Sequence, residues 1–398
     1  MQNYSNSISQ QRIYLDFNAT TPYLPKLRSR WGELVDYTGN PSSIHFDSRV
    51  PKTMIREARQ KIADLLSCST LEIVFNSGAS EGNSSVLRSV FDLFKNQRNE
   101  FLISQVEHPS VQKTAAYLIS QGAIVHFIPV SKDGFIDLNF IREKLSDKTA
   151  LVSVMYANNE TGTVFPVNEI SKLAHAAGAL MHSDCVQLLG KSLVDFKSLG
   201  VDYATFSAHK LYSIKGTGFC FIKKNSPWVP LIHGGGQERG RRGGTENVTG
   251  IAALNIVLDE FKNCESVIDQ MRTLRDMMEQ KILAAIPDVA ITAEKSARIA
   301  NTSSLVIDGI DGETLLMTLD LKGFSVSTGA ACSSGNPEPS PVLLAIGLTK
   351  QEAQSSLRVS LGWGTQEAQI HSFVQILIET VQKLREINLE EKKKLHAI

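Results

Sequence analysis

From about residue 70 to residue 225 the chain alternates short apolar runs with amphipathic stretches. Residues 72–75, 101–104, 124–128, 150–155, 179–182 and 203–206 are β-branched or aromatic runs that end in polar or Gly-containing turns, which predicts strands. Helical patterns over 86–94, 111–119 and 170–177 lie between several of them. Strand–helix alternation of this kind predicts an α/β fold with a mostly parallel sheet and helices on both faces. Residues 218–222 follow a Gly-containing turn and read as an antiparallel addition. After Gly244 the texture changes. The pattern predicts one long helix over 248–285, stopped by Pro287, then strands at 303–307 and 357–360 and a last helix over 365–387. The charge run at 390–394 reads as a solvated helix end. A boundary near 262 would give a large domain (14–262) and a smaller C-terminal α+β domain (263–398) joined by the N-terminal arm 1–13. Clefts between such units are common ligand sites.

Composition narrows the functional classes. The 398 residues are 42% hydrophobic and 21% charged, as in an ordinary globular protein. Lys plus Arg and Asp plus Glu both number 41, so no global field draws nucleic acid or an anionic membrane. No apolar run is long enough to span a bilayer. The first eleven residues are rich in Ser, Asn and Gln and do not read as a secretion signal, so a cytoplasmic location is expected, with no membrane and no direct nucleic-acid partner. Five scattered cysteines with no Cys-x-x-Cys pair support neither a disulfide framework nor a structural zinc site, and no metal is expected. Cys68, Cys220 and Cys264 read as small buried apolar residues.

Five segments carry candidate chemistry. Ser77-Gly-Ala-Ser-Glu-Gly-Asn83 follows a strand; it is either a plain helix cap or a turn whose N–H groups and Ser80 hydroxyl hold an anion. Asp184, at the end of an apolar strand, either caps the next turn or pairs with a pyridinium nitrogen in the crevice of the sheet. Ser207-Ala-His209-Lys210 lies just beyond another strand, where Lys210 is either a solvated loop lysine or a Schiff-base lysine beside a phosphate site. The loop from His233 to Thr245, with three consecutive glycines and several arginines, is either a flexible basic loop or a source of a phosphate contact through Thr245. Cys332 stands among small residues, Gly and Pro, which predicts an exposed loop thiol. The order of anion turn, acid and lysine, each at a strand end, matches what a pyridoxal-phosphate site needs.

Together these segments resemble the cysteine desulfurases, in the class V aminotransferase-like group of fold type I pyridoxal-phosphate enzymes. The likeness runs from Ile13-Tyr-Leu-Asp-Phe-Asn-Ala-Thr-Thr-Pro22 to Leu357-Arg-Val-Ser-Leu-Gly362. Between them Gly39-Asn-Pro-Ser-Ser43, Glu107-His108-Pro109, Asn158-Asn-Glu-Thr-Gly162, the Lys210 segment, the triple-glycine loop and the Cys332 loop fall in the family's order. The resemblance implies a large domain with a mostly parallel seven-stranded sheet and a smaller C-terminal domain carrying the cysteine loop. It implies that Lys210 holds pyridoxal 5'-phosphate and moves protons, that His108 stacks on the ring, that Asp184 pairs with the ring nitrogen and that Gln187 bonds the phenolic oxygen. Ser80, Ser207, His209 and the N–H of Ala79 would hold the phosphate, with Thr245 reaching it from the other subunit of a homodimer. Arg358 would bind the carboxylate of L-cysteine, helped by Asn159 and Asn40. Cys332 would take the substrate sulfur as a persulfide, releasing L-alanine.

The segment beyond Cys332, with Gly335, Pro337 and Pro339, matches the branch with an extended catalytic loop. Cys185 stands where the family usually has an Ala-like residue, which predicts a second thiol near the cofactor. Leu211-Tyr-Ser-Ile-Lys-Gly216 lacks the usual Gly-Pro. The sulfur acceptor stays open between an iron–sulfur scaffold, a tRNA thiolation protein and a DNA modification system. The competing readings are another class V aminotransferase or lyase, which would not need Cys332, and a non-catalytic subunit of a sulfur-transfer complex.

Overall fold

The computed structural model describes residues 12–36, 38–328 and 338–396, so Cys332 lies outside the described residues. In chain order the strands are β1 (Ile13–Tyr14), β2 (Ile73–Asn76), β3 (Glu100–Ser104), β4 (Ile124–Ile128), β5 (Thr149–Ser153), β6 (Leu180–Asp184), β7 (Tyr203–Ser207), β8 (Gly218–Ile222), β9 (Val289–Ile291), β10 (Thr302–Ile307), β11 (Phe324–Ser325) and β12 (Ser356–Ser360). Seven of them form one sheet in the order β2-β8-β7-β6-β5-β3-β4. Strands β3 to β7 run parallel, while β8 pairs antiparallel with both β2 and β7. The expected strands in this region match the observed ones to within two residues, and 218–222 is the antiparallel addition.

Side-chain alternation explains why these runs make a sheet covered on both faces. Val74, Phe101, Ile103, Leu151, Tyr203 and Cys220 point into one apolar cluster with helices Ala79–Phe94 and Pro109–Ser120. Their neighbours Ile73, Phe75, Leu102, Val152, Ala204, Phe206 and Phe219 point into another, beneath helices Arg49–Leu65, Val167–Ala176 and Val248–Val257. Period-two alternation with both faces apolar is what a covered parallel sheet requires.

A third cluster is built almost wholly by the C-terminal part of the chain. Its sheet has the order β12-β10-β9, all antiparallel, packed by helices Glu265–Ala285 and Glu367–His396. The N-terminal segment crosses between the clusters: Leu15 is buried in the C-terminal one and Phe17 in the large one, while β1 pairs parallel with β11. Among the described residues no helix is long and apolar enough to cross a membrane.

One expectation fails. The single helix over 248–285 is instead Val248–Val257, a 3-10 stretch Leu258–Asn263, and Glu265–Ala285. The first part is buried nearly all round in the large cluster, whereas the last buries only one side in the C-terminal cluster. One straight rod would have to serve two cores, so the chain changes course at Cys264 (φ −97°, ψ 8°). The sequence shows only continuous helical periodicity there, because local pattern carries no information about which core each face meets.

Two features place the site. The Arg59 guanidinium forks onto the Glu238 carboxylate, both buried, and Glu238 also accepts from the N–H of Phe75 at 2.9 Å. This pair fixes the middle of the basic loop, where Glu238 and Arg239 adopt positive φ (48° and 59°). At the other end of β2, Gly218 lets three backbone segments meet: a Cβ there would lie 2.6 Å from Gly78 Cα and 2.6 Å from Phe206 O. Backbone atoms cannot step aside as a side-chain end can. Gly218→Ala is therefore expected to cost about 1–3 kcal/mol of stability in chemical denaturation, as overpacking does. Gly32→Ala, in the helix Trp31–Val35 with nothing within 4 Å, is the control and should leave stability unchanged or raise it by up to about 1 kcal/mol. Equal stability for the two variants would contradict the close approach.

Candidate active site

The C-terminal ends of β2, β5, β6 and β7 open onto a cleft of about 580 Å³, lined by Asn18, the turn 77–81, His108, Met155, Asn159, Asp184, Gln187, Ser207, His209, Lys210 and Arg358. Parallel strands all point the same way, so polar residues that end their apolar runs collect on one edge, where α/β folds bind ligands.

Lys210 follows β7 directly. Its Nζ donates to the main-chain oxygens of Asn18 and Ala19. Burial and then the nearby Arg358 cation push its pKa down to about 8, with Asp16 and Asp184 opposing. Asp184 ends β6 and is held on both oxygens: Oδ2 accepts from Asn83 Nδ2 at 2.8 Å and Oδ1 from the N–H of Val186 at 3.0 Å. Asn83 also donates to Ser110 Oγ at 2.9 Å and accepts from Thr205 Oγ1. His108 caps the helix Pro109–Ser120, its Nδ1 accepting from the N–H of Ser110 at 3.1 Å, which leaves the proton of the neutral ring on Nε2. Burial lowers the His108 pKa, against the pull of Asp184, so the neutral ring is favoured.

The anion turn has the expected form. Gly78 takes φ 145°, and helix Ala79–Phe94 begins immediately after it with Ser80 in the first turn. Glu81 turns back to accept from the N–H of Ser77 at 3.0 Å and is bound by Arg242 Nε at 2.9 Å. Ser207 and His209 line the same cleft, Ser207 Oγ only 3.5 Å from where a Cβ on Gly78 would stand. Burial and then Lys210 hold His209 down at about 4, so its ring is neutral.

On the other wall, Arg358 comes from β12. Its Nη2 lies 2.7 Å from Asp16 Oδ1, Nη1 donates to Asn159 O at 3.2 Å, and Nε is buried without a partner among the described residues. Next to Asn159, Glu160 accepts from Ser340 Oγ, and burial raises its carboxyl to about 7. Ser340 caps the helix Pro341–Ala345 that follows the Cys332 segment.

The structure thus gathers Lys210, His108, Ala79, Ser80, Asn159, Asp184, Gln187, Ser207, His209 and Arg358 into one cleft. Thr245 does not line it; Thr245 is exposed and borders a separate cavity of about 160 Å³ that shares Ser77 and Gly216 with the cleft. Asn40 is exposed, and its side chain accepts from the N–H of Ser42 at 2.9 Å rather than lining the cleft. Cys332 lies outside the described residues. Cys185 is buried in the large core, does not line the cleft, and burial pushes its thiol pKa upward, which makes it a poor thiolate. Sequence reasoning missed Asp16, Asn18, Asn83, Glu160 and Lys191. None was assigned a role from the sequence, although Asp16, Asn18, Asn83 and Glu160 fall inside quoted motifs and Lys191 stands four residues beyond Gln187.

The donor set fits pyridoxal phosphate. A helix start and two side chains suit a phosphate, a buried carboxylate held at both oxygens suits a ring nitrogen, and a lysine with a lowered pKa suits an aldehyde.

Comparison with known proteins agrees with this geometry. The aminotransferase class-V family model matches residues 13–373. A curated cysteine desulfurase of Trichormus azollae is 40% identical over 379 residues, 94% of this chain and 94% of that protein. A solved NifS-like protein superposes with a TM-score of 0.87 at 32% identity, covering 93% of this chain and 99% of its own. The structure described as SspA in complex with cysteine gives a TM-score of 0.78 at 29% identity, covering 88% of this chain and 99% of that one. The chain belongs to the aminotransferase class-V family, within its cysteine desulfurase group.

Proposed function

We propose that this chain is a cysteine desulfurase that binds pyridoxal 5'-phosphate, converts L-cysteine to L-alanine, and leaves the sulfur as a persulfide on Cys332. The observation that carries the reading is the convergence of a low-pKa lysine, a doubly held carboxylate and a buried arginine on one cleft. When bound, the cofactor supplies an electron sink for the substrate's α-carbon, without which the C–S bond stays intact.

Each residue has a defined task in this scheme. The first-turn N–H of Ala79 and the side chains of Ser80, Ser207 and His209 would hold the phosphate. Asp184 would hold a proton on the ring nitrogen, its carboxylate kept in place by Asn83. Arg358 offers its guanidinium to the substrate carboxylate, with Asn159 beside it. Lys210, as the neutral amine, would hold the cofactor through its aldehyde carbon and carry protons. Neutral His108, which lines the same cleft, would offer its Nε2 N–H to the bound cofactor or substrate. The Cys332 thiolate attacks the substrate sulfur: an S–S bond forms, the C–S bond breaks, and the carbon fragment takes a proton to become alanine. The persulfide then passes to an acceptor protein.

Thr245 lies outside its own chain's cleft, so its proposed phosphate contact calls for a second copy, and the working form we propose is a homodimer. The four described cysteines are all free, which fits a reducing compartment such as the cytoplasm.

Borohydride reduction of the loaded protein should fix one pyridoxyl phosphate group to the peptide containing Lys210, as peptide mass spectrometry would read. Labelling of another lysine, or of none after reconstitution, would remove Lys210 from its role.

The lowered pKa also makes a kinetic prediction. Below about pH 8 the Lys210 amine is increasingly protonated and cannot attack an aldehyde, so the rate of cofactor uptake by the apoprotein should fall about tenfold per pH unit and level off above the midpoint. Stopped-flow absorbance would measure it; a rate that stays flat through that midpoint would contradict the assignment.

A further inference from the structure

Lys191 is a buried lysine that the scheme above does not use. It lies in the turn after β6 with 4% of its surface exposed. Its Nζ donates to Gln187 Oε1 and, at 3.0 Å, to Asn18 Oδ1. Both acceptors are neutral amide oxygens. Among the described residues no carboxylate lies within ion-pair distance; the charged groups that act on it are Lys210, Arg358 and, in opposition, Asp16.

An ammonium buried without a counter-ion is strongly disfavoured, and such a lysine sheds its proton instead. Burial, then Lys210 and Arg358, place the Lys191 pKa well below its ordinary value. A neutral amine has two N–H groups, and here there are two acceptors. The hydrogen-bond count therefore closes without a charge.

This arrangement has a directional consequence. A carboxamide presents either its oxygen or its NH2 to a ligand, and coordinates alone do not distinguish the two ends. Two neighbours set the amide: a Lys191 N–H meets Gln187 Oε1, and the turned amide would put Oε1 against the main-chain oxygen of Asn18, which only accepts, so Gln187 Nε2 points away from Lys191. Nε2 has only a long contact, 3.4 Å to Asn18 O, and Gln187 lines the cleft. The amide thus offers N–H to whatever occupies the cleft beside it, and that end suits an anionic oxygen.

We propose that Lys191 is a neutral positioning residue that locks the Gln187 amide with its N–H toward the cleft, so that the ring oxygen of bound pyridoxal phosphate is held as an anion. The inference rests on the cofactor reading above. Without Lys191, Gln187 Oε1 loses its donor and the amide can turn over. Its oxygen would then face the ring oxygen, which would favour the protonated form of the latter. Asn18 Oδ1 would keep its bond from Asn301 Nδ2 (3.1 Å), so the joint around Asn18 survives the loss.

The test is a pH titration of the visible absorbance of protein loaded with pyridoxal phosphate, with thermal melting of each apoprotein as the control for folding. In Lys191→Met the absorbance midpoint should move by about one pH unit, which corresponds to a tenfold change in the equilibrium. Lys191→Gln, a neutral donor, should restore the midpoint most of the way; Lys191→Arg, a donor with a permanent charge, should not. Lys191→Met combined with Gln187→Leu should shift the midpoint no further than Gln187→Leu alone, because both act through one amide. A wild-type midpoint in Lys191→Met, additive shifts in the double variant, or rescue by arginine but not glutamine would each overturn the proposal. If Lys191→Met does not fold, the comparison of Gln and Arg at this position still decides. Failure of the wild-type protein itself to take up pyridoxal phosphate would instead sink the cofactor reading.

Discussion

One asparagine holds the two halves of this site together. The main-chain oxygen of Asn18 accepts from Lys210, and its side-chain oxygen accepts from Lys191 and Asn301. Its Nδ2 donates to Asn159 O and Thr302 Oγ1, and its N–H donates to Ser360 Oγ. Lys210, Lys191 and Asn159 follow strands of the large sheet; Thr302 and Ser360 lie on β10 and β12 of the small one. A buried polar group left unpaired costs about 1–3 kcal/mol, so a residue with this many partners tolerates only one relative placement of the strands around it. The cleft lies at this joint because the N-terminal segment crosses from one apolar cluster to the other at residues 15–17.

The electrostatics follow from that burial. Burial comes first at both lysines. Cations then add to it: Arg358 acts on Lys210 and on Lys191, and Lys210 acts on Lys191, while Asp16, joined by Asp184 at Lys210, opposes them only in part. Lys210 becomes an amine as pH rises through about 8, and the amine is the state that attacks an aldehyde. Lys191 becomes an amine that only orients its neighbours. Two lysines of the same chemistry thus take different roles because Lys210 lines the cleft and Lys191 lies behind Gln187.

Much of this was legible in the sequence, for a physical reason. β-branched and aromatic runs ending in small polar turns mark strands of a covered sheet, and the residues that end them lie by geometry on one edge. Asp184, Ser207 and Lys210 could therefore be singled out before any coordinates. Residues that act through others could not. Asn83 turns the Asp184 carboxylate, Lys191 turns the Gln187 amide, and Asp16 holds the Arg358 guanidinium; the first and last lie in segments the sequence singles out, but which distant side chain each one holds is set only by the fold. The break at Cys264 was hidden for a related reason, since helical periodicity records that a face is apolar but not which core it meets. Thr245 and Asn40 carry motifs of the family yet lie outside the cleft of their own chain.

The account stands on the fate of the substrate sulfur. Loaded protein given one equivalent of cysteine, without reductant, should yield one equivalent of alanine and one added sulfur atom on the peptide containing Cys332, read by mass spectrometry of the digested chain. Sulfur on the Cys185 peptide, or pyruvate and ammonia in place of alanine, would contradict it.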